Sequence, residues 1–167
     1  MNKTLGFSLI EILIVIAVVL TISRFVSTYR NMFPAQNNQN VLYQTQQSLS
    51  LWLIRARQLA VNTQKEVQLC GGHGCDGDWS EGVAIHVSNT LLDSHLFDMD
   101  VSIVWKGFPV HKTDITFLPN GLSSYQNGTF YICQSGRYCY IRLNQSGRFY
   151  SSPIFDDEQK AGEAVLC

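Results

Sequence analysis

The chain has 167 residues, a formal net charge of −1, 46% hydrophobic residues and only 15% charged ones. Disordered chains are poor in apolar residues and rich in charge, so this composition excludes disorder along most of the length. Near-neutrality also excludes a broadly basic surface of the kind that binds nucleic acid without selectivity. The apolar residues are unevenly spread and crowd the first 26 positions. Between Lys3 and Arg24 the only charged residue is Glu11. Phe7 to Ser23 is 17 residues, about 25 Å of helix, which is the lower limit for a membrane span. Phe25 and Val26 extend it, because Arg24 can snorkel. Pro34 interrupts helical geometry and pushes Phe33 out of it. Residues 36–40 are polar and weakly helical. Leu42, Leu49, Trp52, Leu53, Ala56 and Ala60 then recur at helical spacing, with Arg55, Gln58 and Gln64 off the stripe. This predicts an amphipathic helix over 38–64 whose stripe packs on a sheet.

After residue 65 the pattern changes to short runs punctuated by Gly, Asn, Asp and Pro. Strands are predicted at 66–70, 82–87, 101–105, 114–117, 129–134, 138–143 and 148–151, spaced for antiparallel hairpins. The acidic tail from Asp156 onwards reads as a mobile terminus. The fold class is therefore α+β: a long N-terminal helix, transmembrane and then amphipathic, packed on an antiparallel β-sheet or sandwich domain.

The N-terminal segment admits three readings. A cleaved secretory signal requires a small-residue cleavage site, and none follows Leu20. A plain anchor explains the length but not Glu11, since a carboxylate in hydrocarbon costs about 2.5–3.5 kcal/mol on insertion scales. The third reading uses every odd feature. Gly6-Phe7-Ser8-Leu9-Ile10-Glu11 resembles the processing site of type IV prepilins. The resemblance implies a leader, residues 1–6, cut after Gly6 by a membrane peptidase, and N-methylation of the new terminal residue Phe7. It also implies a filament and membrane helix over 7–33, with Glu11 as the assembly residue. Lys3 keeps the leader on the cytoplasmic side. A desolvated Phe7 amine needs a countercharge, so Glu11 of a neighbouring subunit sets the axial register of an incoming one, or Glu11 pairs with its own Phe7.

Further along, three short motifs resemble the GspH/FimT family of minor pilins and pseudopilins. They are Trp79-Ser80-Glu81-Gly82, Phe117-Leu118-Pro119-Asn120-Gly121 and Ser146-Gly147-Arg148 after Tyr140-Ile141-Arg142-Leu143. The resemblance makes 34–167 a periplasmic β domain that includes helix 38–64. It implies a single-pass protein of the bacterial inner membrane, incorporated into a pilus after processing. The partners implied are other minor pilins, the major pilin, the prepilin peptidase/methyltransferase and the inner-membrane assembly platform. The role implied is initiation of the filament tip complex. The alternatives are a pseudopilin of type II secretion and a DNA-binding minor pilin for uptake in transformation.

The DNA-binding branch of the family carries a terminal Gly-Arg-x-Arg, and here Gly147-Arg148-Phe149-Tyr150 lacks the second arginine. Asp156, Asp157, Glu158 and Glu163 stand downstream against Lys160 alone, which opposes phosphate binding. Arg137, Arg142 and Arg148 remain the candidate basic residues, with Tyr138, Tyr140 and Tyr150 as stacking surfaces.

Five cysteines occur, at 70, 75, 133, 139 and 167, and two pairs from five allow about 15 arrangements. The periplasm that the resemblance implies permits disulfides. The most economical set is Cys70–Cys75 and Cys133–Cys139. The second follows if a hairpin turns about Gly136, which is equidistant from both. Cys167 is then free, or replaces one partner. Cys70-Gly71-Gly72-His73-Gly74-Cys75 also reads as half a zinc site, but zinc needs more ligands, and His86, His95 and His111 stand singly. Asp76-Gly77-Asp78 fails the calcium-loop pattern, because Glu81 and Val87 occupy the places of its Gly and Glu. No metal, no cofactor and no enzymatic activity are expected. The nucleophile elbow, phosphate loop, dinucleotide fingerprint and zinc-protease motif are all missing from the sequence.

Overall fold

A computed structural model describes residues 9–31, 34–97 and 100–156, without the side chains of 24–31 and 34–39. The leader and cleavage point at Gly6 and Phe7, the tail beyond Asp156 and Cys167 lie outside the described residues. The chain divides into two compact units, Met1–Asn37 and Asn38–Cys167.

The first unit holds α1, Leu9–Asn31. It contains neither Gly nor Pro, and between Ile12 and Leu20 no polar side chain competes for backbone bonds. Two of its hydroxyls bond back into the helix, Thr21 Oγ1 to Val18 O at 2.8 Å and Ser23 Oγ to Leu20 O at 2.9 Å. Among the described residues no helix is long and apolar enough to cross a membrane. The apolar run with described side chains, Leu9–Ser23, covers about 22 Å against a hydrocarbon core of ~30 Å.

Helix α2 runs Pro34–Thr63. Proline at a helix start loses nothing, because the first N–H groups have no intrahelical acceptor. The polar stretch 36–40 is therefore helical too. From Asn38 onward α2 belongs to the second unit. The expected stripe is its buried face: Leu42, Leu49, Leu53, Ala56 and Ala60 are all fully buried. Gln46 lies on the same face and its Nε2 donates to Tyr140 O at 3.2 Å and Ser152 O at 3.0 Å.

Nine strands follow among the described residues: β1 Val67–Gly71, β2 Gly82–Val87, β3 Thr90–Leu96, β4 Ser102–Phe108, β5 Asp114–Phe117, β6 Asn127–Gln134, β7 Arg137–Leu143, β8 Phe149–Ser151 and β9 Phe155–Asp156. They form two antiparallel sheets. The first has the order β3-β2-β1-β5; the second has β4-β6-β7-β8, with β9 also on β7. One apolar core joins them to α2, including Leu49, Leu53, Leu69, Ile85, Phe117, Phe130, Ile132 and Ile141.

Strands β3 and β9 are the two that the sequence pattern does not predict. β3 is an edge strand whose residues are exposed or half-buried, so it lacks a buried alternation. Its signal is the turn before it: Ser88 and Asn89 both have positive φ, which closes a two-residue hairpin on Val87 and Thr90. Asp93 then pairs with Arg55 of α2, and His95 stacks on Trp52 at 5.9 Å. β9 is two residues long, and Asp156, expected to begin the mobile tail, lies in it opposite Arg137.

The sheets are joined by polar side chains that stand in for strand neighbours. Gln126, 2% exposed, accepts from Thr116 N at 2.7 Å and donates to Asp114 O at 2.8 Å. It satisfies the open edge of β5 much as another strand would.

Candidate functional site

Glu11 stands in the first turn of α1, where the positive end of the helix dipole favours a carboxylate. Every described side chain of α1 is exposed, from Leu9 to Ser23. Leu9, Ile10, Ile12, Leu13 and Ile14 are each more than half exposed. A helix apolar on all sides is a buried element without its cover. Glu11 is the single charge on that surface among the described side chains.

The three motifs in the second unit prove to be packing devices. Trp79 is 3% exposed and meets Phe130 edge-on at 4.8 Å. It lies so close to Gly71 that a Cβ there would come within 2.7 Å of the indole. Gly82 is needed because the β3 backbone passes it, with His95 O 2.2 Å from where a Cβ would stand. The other two motifs meet. A Cβ on Gly147 would lie 2.2 Å from Gly121 O, and that same oxygen accepts from Arg57 Nε at 2.9 Å. Arg57 of α2 thus clasps the turns of the Phe117–Gly121 and Ser146–Arg148 motifs together. No local pattern marks Arg57 in the sequence, since its partner is 64 residues away.

The three candidate arginines have different surroundings. Arg137 is ion-paired with Asp156 at 2.9 Å. Arg148 sits in the turn before β8, its backbone N–H donating to Asn144 Oδ1 at 3.1 Å. Arg142 lies 5.7 Å from the ring centres of both Tyr140 and Tyr150. The hydroxyl contact between those tyrosines at 3.3 Å, with burial, holds the Tyr140 phenol above its ordinary value. Tyr138, the third expected stacking surface, is buried beneath Phe155.

Of the two expected disulfides, Cys70–Cys75 is present. The Cys133–Cys139 bridge is not: Cys139 is a buried free thiol, so Cys133, itself disulfide-bonded, does not pair with it. The reason is register. The β6–β7 hairpin turns on two residues, Ser135 and Gly136, both with positive φ. Gln134 therefore faces Arg137, Cys133 faces Tyr138 and Cys139 faces Ile132. A one-residue offset puts the two cysteines on opposite faces of the sheet.

Of the three histidines expected to stand singly, two do and one does not. His95 stacks on Trp52, and His111 is exposed in the loop before β5. His86 does not stand alone: its Nδ1 lies 3.4 Å from Cys70 Sγ and 3.2 Å from Cys75 Sγ. The carboxylates of Asp76 and Asp78 accept from the backbone N–H groups of Asp78 and Ser80, both at 3.0 Å, so they cap turns.

Comparison with known proteins agrees with this geometry. Residues 45–147 match the family described as type II transport protein GspH. The type IV minor pilin FimU of Pseudomonas aeruginosa is similar at 26% identity and a TM-score of 0.57, covering 68% of this chain and 90% of that one. A second crystal form of FimU gives 26% and 0.55, over 67% and 93%. The minor pseudopilin EpsH of the Vibrio cholerae type 2 secretion system shares the fold, at 10% identity and a TM-score of 0.52, over 68% and 97%. No curated protein matches the chain. The family match spans more than half the sequence and covers α2 from Thr45 together with strands β1 to β7 and the Gly147 turn, so the chain belongs to the GspH family of type IV pilin-like proteins, the GspH/FimT minor pilins and pseudopilins.

Proposed function

We propose that this chain is a minor pilin, a non-enzymatic structural subunit of a type IV pilus. It inserts in the inner membrane through the 7–33 segment with its β domain in the periplasm. Prepilin peptidase cuts after Gly6 and Phe7 is N-methylated. The subunit then joins other minor pilins, on the assembly platform, in the complex that initiates the filament and sits at its tip, and the major pilin follows. The observation that carries this reading is α1: an uncovered apolar helix bearing one carboxylate, Glu11. Stacked α1 helices would bury that surface, and Glu11 would neutralise the Phe7 amine of its neighbour. The likeness to FimU supports the pilus over other filaments.

A second reading, the pseudopilin of a type II secretion system, is favoured by the name of the family itself. Both readings share the assembly chemistry, and one experiment separates them. The tagged full-length chain is expressed in its native cell and its detergent-solubilised partners are identified. Pilus minor pilins are the expected partners; secretion pseudopilins alone would select the second reading. In the same cells Glu11→Ala is expected to stay in the membrane but to lose incorporation at least tenfold. Gly6→Ser is expected to retain its leader. Unchanged incorporation of the first or normal cleavage of the second would overturn the assembly mechanism.

A further inference from the structure

We propose that Cys70, Cys75 and His86 form a redox-gated site for a zinc-class cation, closed by the disulfide and opened when a dithiol reductant cleaves it. Three elements build it. Cys70 is the fourth residue of β1, Cys75 returns over it after Gly71-Gly72-His73-Gly74, and His86 comes from β2. Cys70 pairs with Ala84 on β2, and His86 is two residues further along the same strand. Side chains two apart share a face of a sheet. The β2–β3 register also shifts between Ile85 and His86, and such a bulge re-aims the residue beside it.

The result is that one imidazole nitrogen, His86 Nδ1, touches both sulfurs. Their ligand atoms all lie within 4.8 Å of one another, and this is the one such group of three among the described residues. In a tetrahedral zinc site, Zn–S of about 2.3 Å and Zn–N of about 2.0 Å put neighbouring sulfur and nitrogen atoms about 3.5 Å apart. The two sulfur–nitrogen edges, 3.4 and 3.2 Å, already have that length. Only the sulfur–sulfur edge must open.

The loop permits the opening. Cys75 is half-buried, and around Gly74 a Cβ would meet nothing within 4 Å. Cys70, 1% exposed, is fixed in the sheet and holds the site in place. Two thiolates and an imidazole are soft and borderline donors. They select zinc-class ions over magnesium or calcium and leave a fourth position for water or an external ligand.

The chemistry balances simply. The dithiol supplies two electrons and two protons to the S–S bond, yielding two thiols and its own cyclic disulfide. The cation then displaces both thiol protons to solvent, and neutral His86 donates its Nδ1 lone pair. In the oxidised chain the sulfurs have no thiolate to offer, so the cation is excluded.

The test uses the full-length chain in detergent, reduced with a water-soluble phosphine. Water then supplies the oxygen of the phosphine oxide and both thiol protons. Co²⁺ alone is added first, then Zn²⁺ alone against a chromophoric chelator. Reduced protein is expected to take up one Co²⁺ with thiolate charge-transfer absorption, displaced by Zn²⁺; oxidised protein is expected to take up none. Cys70→Ser/Cys75→Ser, reduced in the same way, keeps every other cysteine and is expected to bind no metal. His86→Ala keeps the disulfide and is expected to weaken Zn²⁺ at least tenfold after reduction. Emission from buried Trp79 reports folding in the same samples. Equal uptake by oxidised and reduced chains, or by His86→Ala and the parent, would overturn the proposal. So would no uptake by a reduced chain, whether it stays native or unfolds without recovery on adding Zn²⁺.

Discussion

Cys139 keeps its thiol because of where the β6–β7 register leaves it. Its side chain points into the core, fully buried beside Ile132, with no sulfur opposite. Burial pushes the thiol from 9.0 up to about 12, because a thiolate there would lose its water. The folded state therefore favours the protonated form. That contribution to stability is fully present below pH 9 and is lost as the pH rises from 9 towards 12. At pH 8 a thiol-reactive disulfide reagent is expected to modify Cys139 about 10³-fold more slowly in native protein than in guanidinium, since reaction requires opening of the core. Rapid native labelling mapped to Cys139 would contradict the buried placement. The same residue shows why cysteine pairing is hard to read from sequence. Symmetry about Gly136 suggests Cys133 and Cys139 as partners, yet a two-residue turn centres the hairpin half a residue away. That half-residue decides the face on which each sulfur lies.

Elements whose signal is local are readable in the sequence, and those that depend on distant partners are not. The α2 stripe repeats every three or four residues, so Leu42 to Ala60 announce their buried face directly. The seven strands that bury a side or close an evident turn are visible for the same reason. β3 escapes because its leucines face outward and its order comes from β2, Arg55 and Trp52. The clasp between the Gly121 and Gly147 turns escapes because Arg57 lies far from both in sequence. The motifs that point to the family are thus the ones that hold its elements together. This gives Gly147 and Gly136 different weights. Both have positive φ, +70 and +75, but a Cβ at Gly147 meets Gly121 O, whereas one at Gly136 meets nothing within 4 Å. Gly147→Ala is expected to cost at least about 2 kcal/mol, and Gly136→Asn less than about 1, as asparagine tolerates that backbone. Urea unfolding with an unchanged denaturant slope measures both. Equal losses would mean that Gly147 is only a turn residue and that the clasp carries no energy.

At the scale of the whole molecule, two units of different surface character share one chain. The near-zero net charge and moderate hydrophobicity are averages over both. In Leu9–Ile22, eleven large apolar side chains stand at least half exposed. At about 1–2 kcal/mol each, covering them is worth as much as the ~5–15 kcal/mol that holds an ordinary domain. That surface must be covered by lipid or by other helices. The second unit also exposes large apolar side chains, Leu92, Leu96, Phe108 and Val110 among them, but it does so around a core of its own. Its core runs from Leu42 to Leu143, so removing residues 1–37 takes away none of its members. A chain beginning at Asn38 is therefore expected to fold by itself and remain monomeric in buffer. Its Tm should lie within about 3 °C of the same domain in the detergent-solubilised full chain, because the cut removes no member of the described core. The full chain without detergent is expected to associate. Light scattering and thermal unfolding decide the matter. An aggregated or unfolded 38–167 fragment would mean that α1 contributes to the domain core, and the division of labour between an assembly helix and a self-sufficient β domain would fail.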